Sequence, residues 1–427
     1  MLERLALGLA AAAAVATIPL GAVAQPTVDR CKASPYAADQ YFPNPAFANQ
    51  TRAPAPAASS PFDVQVLATG LEHPWKLAFL PDGRMLVSER PGRLRIVGRD
   101  GALSEPMAGL PPLVTVAGEG LHDVTLDPDF VHNRLIYFSY FAPPSGKPAR
   151  AAPLQDWLDW LKLSPADRET HKVGVETVAR ARLSDDGRRI EDVKVILEGA
   201  NRRIVFARDG SLLVTSATAA GANIDTDDLP QRLGNVYGKV LRIRPDGSIP
   251  TDNPWAGKAG ARPELYAIGF RDPEGANLDP ATGDLWTVEH GPRGGDELNH
   301  VLPGRNYGFN TISYGREYST KPVGSGFTAK DGLEQPVYFW TPSIAPSGLL
   351  FYTGDLFPHW KGNIFVGAQA GKHLIRLVMQ DGRVAAEEAL LADRCRRIRD
   401  VRQGPEGALY VLTEEQDGEI WRLTPKK

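Results

Sequence analysis

Three acidic residues stand on a glycine-rich stretch that directly follows a short apolar run. The segment 287–308 reads TVEHGPRGGDELNHVLPGRNYG and contains Glu289, Asp296 and Glu297. Glycine and proline allow neighbouring backbone carbonyls to point to one side, and a nearby carboxylate adds negative charge. Calcium prefers such oxygen ligands, whereas zinc or iron would need several histidines or cysteines. The pattern therefore predicts a loop-built calcium site, with an Asx-rich turn that holds no metal as the alternative.

A second candidate for chemistry is the basic stretch RCRRIRD at 394–400. The planar fork of an arginine guanidinium matches carboxylate geometry, so clustered arginines suit an anionic ligand. A solvated, charged loop is the alternative for this stretch taken alone.

Composition limits the class of protein that can carry these residues. The chain has 427 residues, 42% hydrophobic and 23% charged, which is typical of a globular protein with a large core. A net charge of −3 provides no basic surface for nucleic acid. The content of glycine, 42 residues, and proline, 36 residues, favours many turns and short strands over long helices.

The first 24 residues have the pattern of a secretory signal, with an early arginine, a long Ala/Leu run and the ending Ala22-Val23-Ala24. We expect cleavage after Ala24 and export to the periplasm or medium; a retained membrane anchor is the alternative. No other segment approaches the ~20 apolar residues of a membrane span. In an oxidising compartment Cys31 and Cys395, the only cysteines, are candidates for a disulfide, with two buried free thiols as the alternative.

A hairpin pattern repeats along the chain after a Pro/Ala/Ser-rich extended arm at 25–61. Each copy has an apolar run, a turn with Asp, Gly or Asn, and a second apolar run. Such spacing suits four-stranded blades, so we predict an all-β, six-bladed β-propeller over 62–427, with a double-sheet sandwich array as the competing fold. The six copies lie at 77–89, 124–140, 204–216, 276–290, 349–367 and 401–415.

One segment departs from this pattern. In 153–172, Trp157, Leu158, Trp160 and Leu161 recur at helical spacing, which predicts a short helical insertion in a blade loop. This helix is expected to pack on the propeller wall, with a lid over a site as the alternative.

Several long motifs resemble the soluble pyrroloquinoline-quinone (PQQ)-dependent aldose sugar dehydrogenases, the glucose/sorbosone dehydrogenase family. The motifs are PWKLAFLPDGRMLVSERPGRLRIV, GKVLRIRPDGSIPTDNPWAG, ELYAIGFRDPEGANLDPATGDLW with the following EHGPRGGDELNHVLPGRNYGF, PSIAPSGLLFYTGDLFP, and RRIRDVRQGPEGALYVLT. They occur in the family's order over 62–425. The resemblance implies a six-bladed propeller, in agreement with the hairpin count, and an oxidoreductase acting on an aldose or another alcohol.

The resemblance also implies roles for single residues. Calcium, held by the carbonyls of Gly291 and Pro292 with Asp296 and Tyr307 nearby, would bind the quinone and polarise the carbonyl that receives hydride. In the family a histidine, oriented by an aspartate, removes the sugar hydroxyl proton. The implied quinone contacts, of which Arg271 is also a candidate catalytic residue, are Arg271, Tyr338, Ser343, Lys372, Arg397 and Arg399.

The proton-handling part of the family pattern is missing. Gly199 and Ala200 stand where the histidine belongs, and Ala217 and Thr218 replace a Gly-Asp pair. Neither replacement can accept a proton near neutral pH. Gly118 replaces a glutamine that contacts the quinone in the family.

Other departures point to a remodelled channel mouth. His122 occupies a normally apolar position and is a candidate replacement base, although a structural role is the commoner meaning of such a histidine. Lys76 occupies the position of a small residue, and Ala370 that of the family's cofactor lysine, two residues before Lys372. These changes suggest a mouth adapted to a different ligand.

Three functions follow from these observations. The first is an exported PQQ-dependent dehydrogenase with a sugar or alcohol substrate and a separate electron acceptor. The second is a propeller that binds calcium and a ligand without redox chemistry, as the missing histidine, aspartate and glutamine suggest. The third, a lyase or hydrolase using the metal with His122 or His290, has less support; His290 is expected to orient the metal loop.

Overall fold

Antiparallel sheets arranged in a ring make up the computed structural model. Five sheets have four strands and one has three, so the all-β, six-bladed propeller is confirmed. The signal 1–24, Cys31 and the helical insertion 153–172 lie outside the described residues. The structure describes residues 41–116, 118–145, 147–148, 150–151, 173–218 and 228–426.

The blades follow one another along the chain, except that the last blade also takes the first strand. Blade 1 contains β2–β4, blade 2 contains β6, β7, β9 and β10, blades 3, 4 and 5 contain β11–β14, β15–β18 and β19–β22, and blade 6 contains β23–β25 with β1. The strands are β1 Phe62–Leu71, β2 Pro74–Phe79, β3 Met85–Glu89, β4 Arg93–Val97, β5 Val114–Thr115, β6 Leu121–Leu126, β7 Leu135–Ala142, β8 Arg150–Ala151, β9 Val175–Leu183, β10 Ile190–Glu198, β11 Ile204–Phe206, β12 Leu212–Ser216, β13 Lys239–Ile243, β14 Leu265–Ile268, β15 Pro273–Leu278, β16 Leu285–Glu289, β17 Asp296–Val301, β18 Tyr338–Trp340, β19 Pro346–Phe351, β20 Ile364–Ala368, β21 His373–Gln380, β22 Arg383–Leu390, β23 Ile398–Gln403, β24 Leu409–Thr413 and β25 Gly418–Pro425.

Helical structure among the described residues is short. One α-helix, α1, spans Phe130–Asn133, and 3₁₀ turns span Leu229–Gln231, Pro358–Trp360 and Ala392–Arg394. β5 and β8 form a separate parallel pair. No helix in the described part of the chain is long and apolar enough to cross a membrane.

The ring closes by pairing the two ends of the propeller. β1 runs antiparallel to β25, from Phe62 opposite Pro425 to Leu71 opposite Gly418. The six inner strands β2, β6, β11, β15, β19 and β23 each contact the next one around the ring, and β23 contacts β2. Buried apolar side chains of adjacent blades pack together, so that the core is distributed around the ring. Sealing one blade with strands from both chain ends leaves few free sheet edges.

Aspartate-containing turns explain why the hairpins form where the sequence predicts them. Asp82 and Asp209 each accept a hydrogen bond, at 2.9 Å, from the backbone N–H two residues further on. The glycine after each aspartate, Gly83 or Gly210, has a positive φ of +82° or +80°. Glycine adopts this conformation without the strain that a Cβ would cause.

The arm before β1 packs along the outside of blades 5 and 4. The carbonyl of Gln50 accepts a hydrogen bond from the backbone N–H of Phe339 at 2.8 Å, and its side chain bonds to Pro336 and Tyr314. Arg376 of β21 donates to the carbonyl of Ala58. The described part of the arm is therefore fixed to the propeller although it contains no strand.

Candidate active site at the mouth of the propeller

The residues with chemical potential gather at the end of the ring where the inner strands begin, which we call the mouth. Five inner strands, β2, β6, β15, β19 and β23, have a β-bulge or similar register shift at this end. A bulge sets two residues of one strand against one residue of its neighbour. Two successive side chains of β2 then both contact blade 2: Trp75 stacks on His122 at 5.1 Å, and Lys76 pairs with Asp123.

An ionic cluster fills the channel just below the mouth. Lys76 Nζ lies 2.9 Å from Asp123 Oδ1, and Arg203 Nη1 lies 3.6 Å from the same oxygen and 3.4 Å from Asp400 Oδ1. Arg203, Asp123 and Asp400 are fully buried. Burial lowers the pKa of Lys76 to about 8, with help from the nearby positive charge of Arg402. These residues tie blades 1, 2, 3 and 6 together and occupy the channel axis.

Glycines complete this layer on the two remaining blades. A Cβ on Gly275 would lie 1.8 Å from the carbonyl oxygen of Ser347, and one on Gly348 would lie 2.6 Å from the Cα of Asp400. No side chain fits at either position, so blades 4 and 5 contribute backbone where the other blades contribute charge.

A second ionic network lies above the first and centres on Arg202. Its Nη1 and Nη2 donate to the two oxygens of Glu119 at 3.1 and 3.0 Å. Its Nε lies 3.2 Å from Asp272 Oδ1 and 3.3 Å from Glu274 Oε1. One guanidinium thus joins carboxylates from blade 2 and blade 4.

The network continues across the mouth to blade 6. Arg399 donates to Glu274 at 2.7 Å and to Glu414 at 3.1 Å. Arg397 donates to Glu414 at 2.8 Å and to Gln369 at 2.9 Å. The side chain of Arg397 is 41% exposed, whereas that of Arg399 is 7% exposed. Arg397 and Arg399 of the RCRRIRD stretch therefore face the mouth, whereas Arg394 and Arg396 contact β25 and the turn before it.

Arginines keep the carboxylates of this network ionised. Burial opposes ionisation of Glu414, but Arg399 and Arg397 outweigh it and lower its pKa to about 2. Burial is likewise outweighed at Glu274 by Arg399 and Arg202, which hold the pKa of that carboxyl well below its usual range. The same balance, with Arg202 as partner, lowers the pKa of Glu119.

The predicted metal loop is organised by Asp296. This buried carboxylate accepts hydrogen bonds from the backbone N–H of Gly291 at 2.8 Å, of Ile344 at 2.7 Å and of Ala345 at 2.9 Å, and from the hydroxyl of Ser343. It joins the loop after β16 to the loop before β19. Because Asp296 accepts this many hydrogen bonds, its role is to fix the backbone of the loop. Burial raises the pKa of its carboxyl group.

Two further carboxylates are buried beside the same loop. Glu289 accepts hydrogen bonds from the backbone N–H groups of Arg271 and Asp272, and Asn299 donates to both Glu289 and Glu297. Burial raises the pKa of both glutamates. No cluster of three or more His, Cys, Asp or Glu side chains arranged for metal binding exists in the described ranges. A calcium ion here would therefore depend mainly on backbone carbonyls, as predicted from Gly291 and Pro292.

Several buried donors at the mouth have no hydrogen-bond partner. They are the Nε groups of Arg271 and Arg399, the Nε2 amide of Gln369 and, depending on tautomer, Nε2 of His290. Unsatisfied buried N–H groups are costly and call for a ligand. Because two belong to guanidinium groups, the missing partner is anionic in character. The donor set therefore fits the carboxylates and carbonyls of a quinone such as PQQ.

The structure does not place His122 where a base could act. The residue is 1% exposed and its ring is stacked on Trp75. Its Nδ1 lies 3.1 Å from the carbonyl oxygen of Asn201, and its Nε2 lies 3.4 Å from that of Gly118. Burial lowers its pKa. This packing argues against the predicted catalytic role.

Two predicted tyrosines lie away from the mouth. Tyr338 is in β18, an outer strand, and its hydroxyl bonds to Glu387 and the backbone of Ala53. The hydroxyl of Tyr307 donates to the carbonyl of His300 at 2.6 Å, and its ring stacks on Phe270. Tyr338 therefore does not wall a cofactor site, because outer strands do not line the channel, and the hydroxyl of Tyr307 is already committed.

The remaining predicted residues are distributed as follows. Ser343 is brought to Asp296, and Arg271 donates through Nη1 to the carbonyl of His290 at 2.9 Å. Lys372 lies between β20 and β21, in the same loop as Gln369. Cys395 is disulfide-bonded, but because Cys31 is outside the described residues the pairing itself stays a prediction.

At the positions where the family's histidine and aspartate are replaced, this chain makes hydrogen bonds through its backbone. The N–H of Thr218 donates to the carbonyl of Arg271 at 2.6 Å, and the carbonyl of Gly199 accepts from the hydroxyl of Ser216 at 3.1 Å. Gly118 has φ +97° with open space beside it, and it lines a rim cavity of about 280 Å³ together with Arg90. The loss of the glutamine therefore leaves free volume at the mouth.

Reasoning from sequence missed Arg202, Glu119, Asp272, Glu274 and Glu414. A signal for four of them was present: each stands at, or within two residues of, the start of an inner strand. Arg202 and Glu274 also share the register of His122, because each directly precedes a residue of the lower layer. Comparison of these starting positions across the six hairpins would have found them.

Comparisons with known proteins agree with this architecture. The family model described as Glucose / Sorbosone dehydrogenase matches residues 71–422. The chain belongs to the glucose/sorbosone dehydrogenase family. Within this family, it is 37% identical over 382 residues to the aldose sugar dehydrogenase YliI of Escherichia coli, covering 87% of this chain and 95% of that protein.

Two further relatives differ in sequence identity to this chain and in how much of it they cover. The crystal structure of the soluble aldose sugar dehydrogenase from Escherichia coli is 35% identical, with a TM-score of 0.75, and the match covers 86% of this chain and 100% of that one. Quinoprotein glucose dehydrogenase B of Acinetobacter calcoaceticus is 27% identical over 268 residues, covering 61% of this chain and 54% of that protein. The glucose/sorbosone dehydrogenase likeness thus extends over most of the propeller.

Proposed function

We propose that this chain is an exported sugar dehydrogenase that oxidises an aldose or another alcohol by hydride transfer to PQQ held with calcium at the mouth. The observation that carries the proposal is the set of buried, unpartnered donors on Arg271, Gln369 and Arg399. Arg271 also contacts the glycine-rich loop through the carbonyl of His290, and charge-assisted hydrogen bonds are the strong way to bind carboxylates.

Each part of the mouth has a role in this proposal. The carbonyls of Gly291 and Pro292 would hold calcium, and the hydrogen bonds of Asp296 keep that loop in one conformation. Arg397 and Arg399 would bind the quinone's carboxylates. When bound, the quinone accepts the hydride and the metal polarises its carbonyl.

The relatives support the substrate class. YliI is named an aldose sugar dehydrogenase, and the Acinetobacter relative is named a quinoprotein. The partners of this chain would be a small sugar or alcohol and an electron acceptor that reoxidises the quinone. The disulfide at Cys395 suits export to an oxidising compartment.

The test is a titration of the mature protein with PQQ in the presence of calcium. We expect a saturable change in quinone absorbance, followed by reduction of an artificial acceptor when an aldose is added. Arg271→Gln and Arg397→Gln should each weaken quinone binding about 10- to 100-fold, because a hydrogen bond to a charged group contributes about 1.5–3 kcal/mol.

Arg208→Met is the matched control. Arg208 is an exposed arginine on the turn between β11 and β12, where it donates to the carbonyls of Thr282 and Pro280. This variant should bind quinone as the unchanged protein does. No absorbance change in the unchanged protein, or equal losses in all three variants, would contradict the proposal.

A binding protein without redox activity is the second candidate. It is favoured by the guanidinium of Arg202, which lies close to the positions where the family's histidine and glutamine are replaced and is held by Glu119, Asp272 and Glu274. Quinone or sugar binding without any turnover would support this function over the first.

A further inference from the structure

Oxidation of an aldose releases a proton as well as a hydride. The fate of this proton matters for the dehydrogenase function proposed above, on which the inference rests. The C1–H bond breaks and its electron pair leaves with the hydride to the quinone. The O–H bond of the hydroxyl group on C1 also breaks, and a C=O bond forms between C1 and that oxygen. A basic atom at the mouth must take the hydroxyl proton.

Most carboxylates at the mouth have no oxygen available for this task. Both oxygens of Glu119 are occupied by Arg202, and Asn201 donates to one of them as well. Glu274 is bound by Arg202 and Arg399. These side chains are only 8–9% exposed.

Glu414 is excluded for the same reason. Its Oε2 accepts from Arg397 at 2.8 Å, and its Oε1 accepts from Arg399 at 3.1 Å and from Arg90 at 3.3 Å. Its side chain is 9% exposed. The tight binding of three guanidinium groups also makes this carboxylate a poor proton acceptor.

Asp272 differs from these glutamates in exposure and in hydrogen bonding. Its side chain is 23% exposed. Its Oδ1 accepts from Arg202 Nε at 3.2 Å, whereas its Oδ2 is 3.8 Å from His290 Nδ1, beyond hydrogen-bond distance. One lone-pair-bearing oxygen of Asp272 is therefore open to a ligand at the mouth.

The position of Asp272 suits contact with a substrate of the proposed quinone. It directly follows Arg271, one of the unpartnered donors assigned to the quinone, and directly precedes β15. Its backbone is fixed on both sides, since its N–H donates to Glu289 and its carbonyl accepts from His290 N–H at 3.0 Å. A rigid backbone limits the carboxylate to a small range of positions.

We propose that Asp272 Oδ2 is the catalytic group that accepts the sugar hydroxyl proton, in place of the histidine missing from this chain. Arg202 is the positioning residue. Its bidentate bond to Glu119 fixes the guanidinium plane, and its Nε then sets the orientation of the Asp272 carboxylate. Hydride loss and proton transfer to Asp272 leave a neutral lactone when the substrate is a cyclic aldose.

The test uses Asp272→Asn and Asp272→Ala in the calcium- and PQQ-loaded protein. Asp272→Asn should lower kcat about 10²- to 10⁴-fold, as expected for loss of a general base, while quinone affinity, measured by absorbance, changes less than about threefold. Added formate should restore part of the activity of Asp272→Ala, because a small carboxylate can occupy the vacated space. A purely structural residue would show no such rescue.

The matched control is Asp284→Asn. Asp284 is a partly exposed aspartate that pairs with His300 at 3.0 Å, close to the turn between β15 and β16. This variant should have the kcat of the unchanged protein, and added formate should not change its activity. A loss of kcat similar to that of Asp272→Asn would show that the effect is not specific to the mouth.

The positioning role of Arg202 has a separate readout. Arg202→Lys should lower kcat in the unchanged protein but cause no further loss in the Asp272→Ala background, because the two residues act as one unit. Additive losses would overturn this role.

The outcomes separate the two proposals. If the unchanged protein neither binds PQQ nor turns over an aldose, the proposed dehydrogenase function fails. If it turns over and Asp272→Asn has a kcat within threefold of it, or if formate does not rescue Asp272→Ala, only the assignment of Asp272 fails.

Discussion

Replacing Lys76 by methionine should change how the stability of the fold depends on pH. The ammonium group of Lys76 is buried in the channel, 2.9 Å from Asp123. Burial is the largest cause that lowers its pKa from the ordinary 10.5 to about 8, and the positive charge of Arg402 adds to it. The folded protein therefore releases this proton at lower pH than the unfolded chain does.

The sign and size of the effect follow from proton linkage. Between pH 8 and 10.5 the unfolded chain holds the lysine proton that the folded protein has lost, so the free energy of unfolding rises with pH. The slope approaches 1.4 kcal/mol per pH unit, which amounts to about 2 kcal/mol between pH 8 and pH 10. Lys76→Met removes this contribution.

The assay is urea unfolding of the unchanged protein and Lys76→Met at several pH values over this range. The difference between the two curves cancels groups that titrate in both proteins, such as the buried tyrosines. Lys76→Arg keeps a positive charge throughout the range, so it should also lack the rise. If the free energy of unfolding changed with pH in the same way in the unchanged protein and in Lys76→Met, the lowered pKa of Lys76 would be refuted.

Three other changes test separate parts of the structure. Arg203→Met should destabilise the fold by about 1.5–3 kcal/mol in urea unfolding, because it removes the buried hydrogen bond from the guanidinium to the carbonyl of Glu274; Arg402 still pairs with Asp400, so a loss above this range would contradict the assignment. Asp296→Ala should remove the thermal stabilisation that calcium gives the unchanged protein; an equal calcium response in both would show that the loop does not depend on Asp296. Cys395→Ser should cost about 2–4 kcal/mol through loss of a disulfide, and the two proteins should have the same stability once both are reduced.

The fold could be predicted from the sequence because its signals are local. The turns at Asp82 and Asp209 are fixed by hydrogen bonds two residues away, and each hairpin shows its own apolar pattern. The closing of the ring is different, since Phe62 pairs with Pro425 at the other end of the chain. Here the count of hairpins, and not a local pattern, led to the closed propeller.

The site was predicted less completely because its contacts join distant blades. Arg203 meets Asp400, and Arg202 meets Glu119 and Asp272, through pairings that no single segment shows. Arg397 and Arg399 of the RCRRIRD stretch lie at the mouth, close to the predicted site. The position of Tyr338 in an outer strand was not predicted, because it depends on how far the chain has progressed through blade 4.

His122 shows why a residue type alone is a weak guide. A histidine at a usually apolar position invites a catalytic role, but its ring continues the apolar packing by stacking on Trp75. Asp272 attracted no notice in the sequence, yet its side chain is 23% exposed, unlike those of the surrounding glutamates.

A single-turnover experiment shows whether an aldose passes a hydride to bound quinone in this protein. The mature protein is loaded with calcium and PQQ, an aldose is added without any electron acceptor, and the absorbance of the bound quinone is followed. We expect rapid conversion of the oxidised to the reduced quinone spectrum in the unchanged protein and a much slower conversion in Asp272→Asn. A bound quinone that stays oxidised in the unchanged protein, with every aldose and alcohol supplied, would contradict the proposed dehydrogenase function.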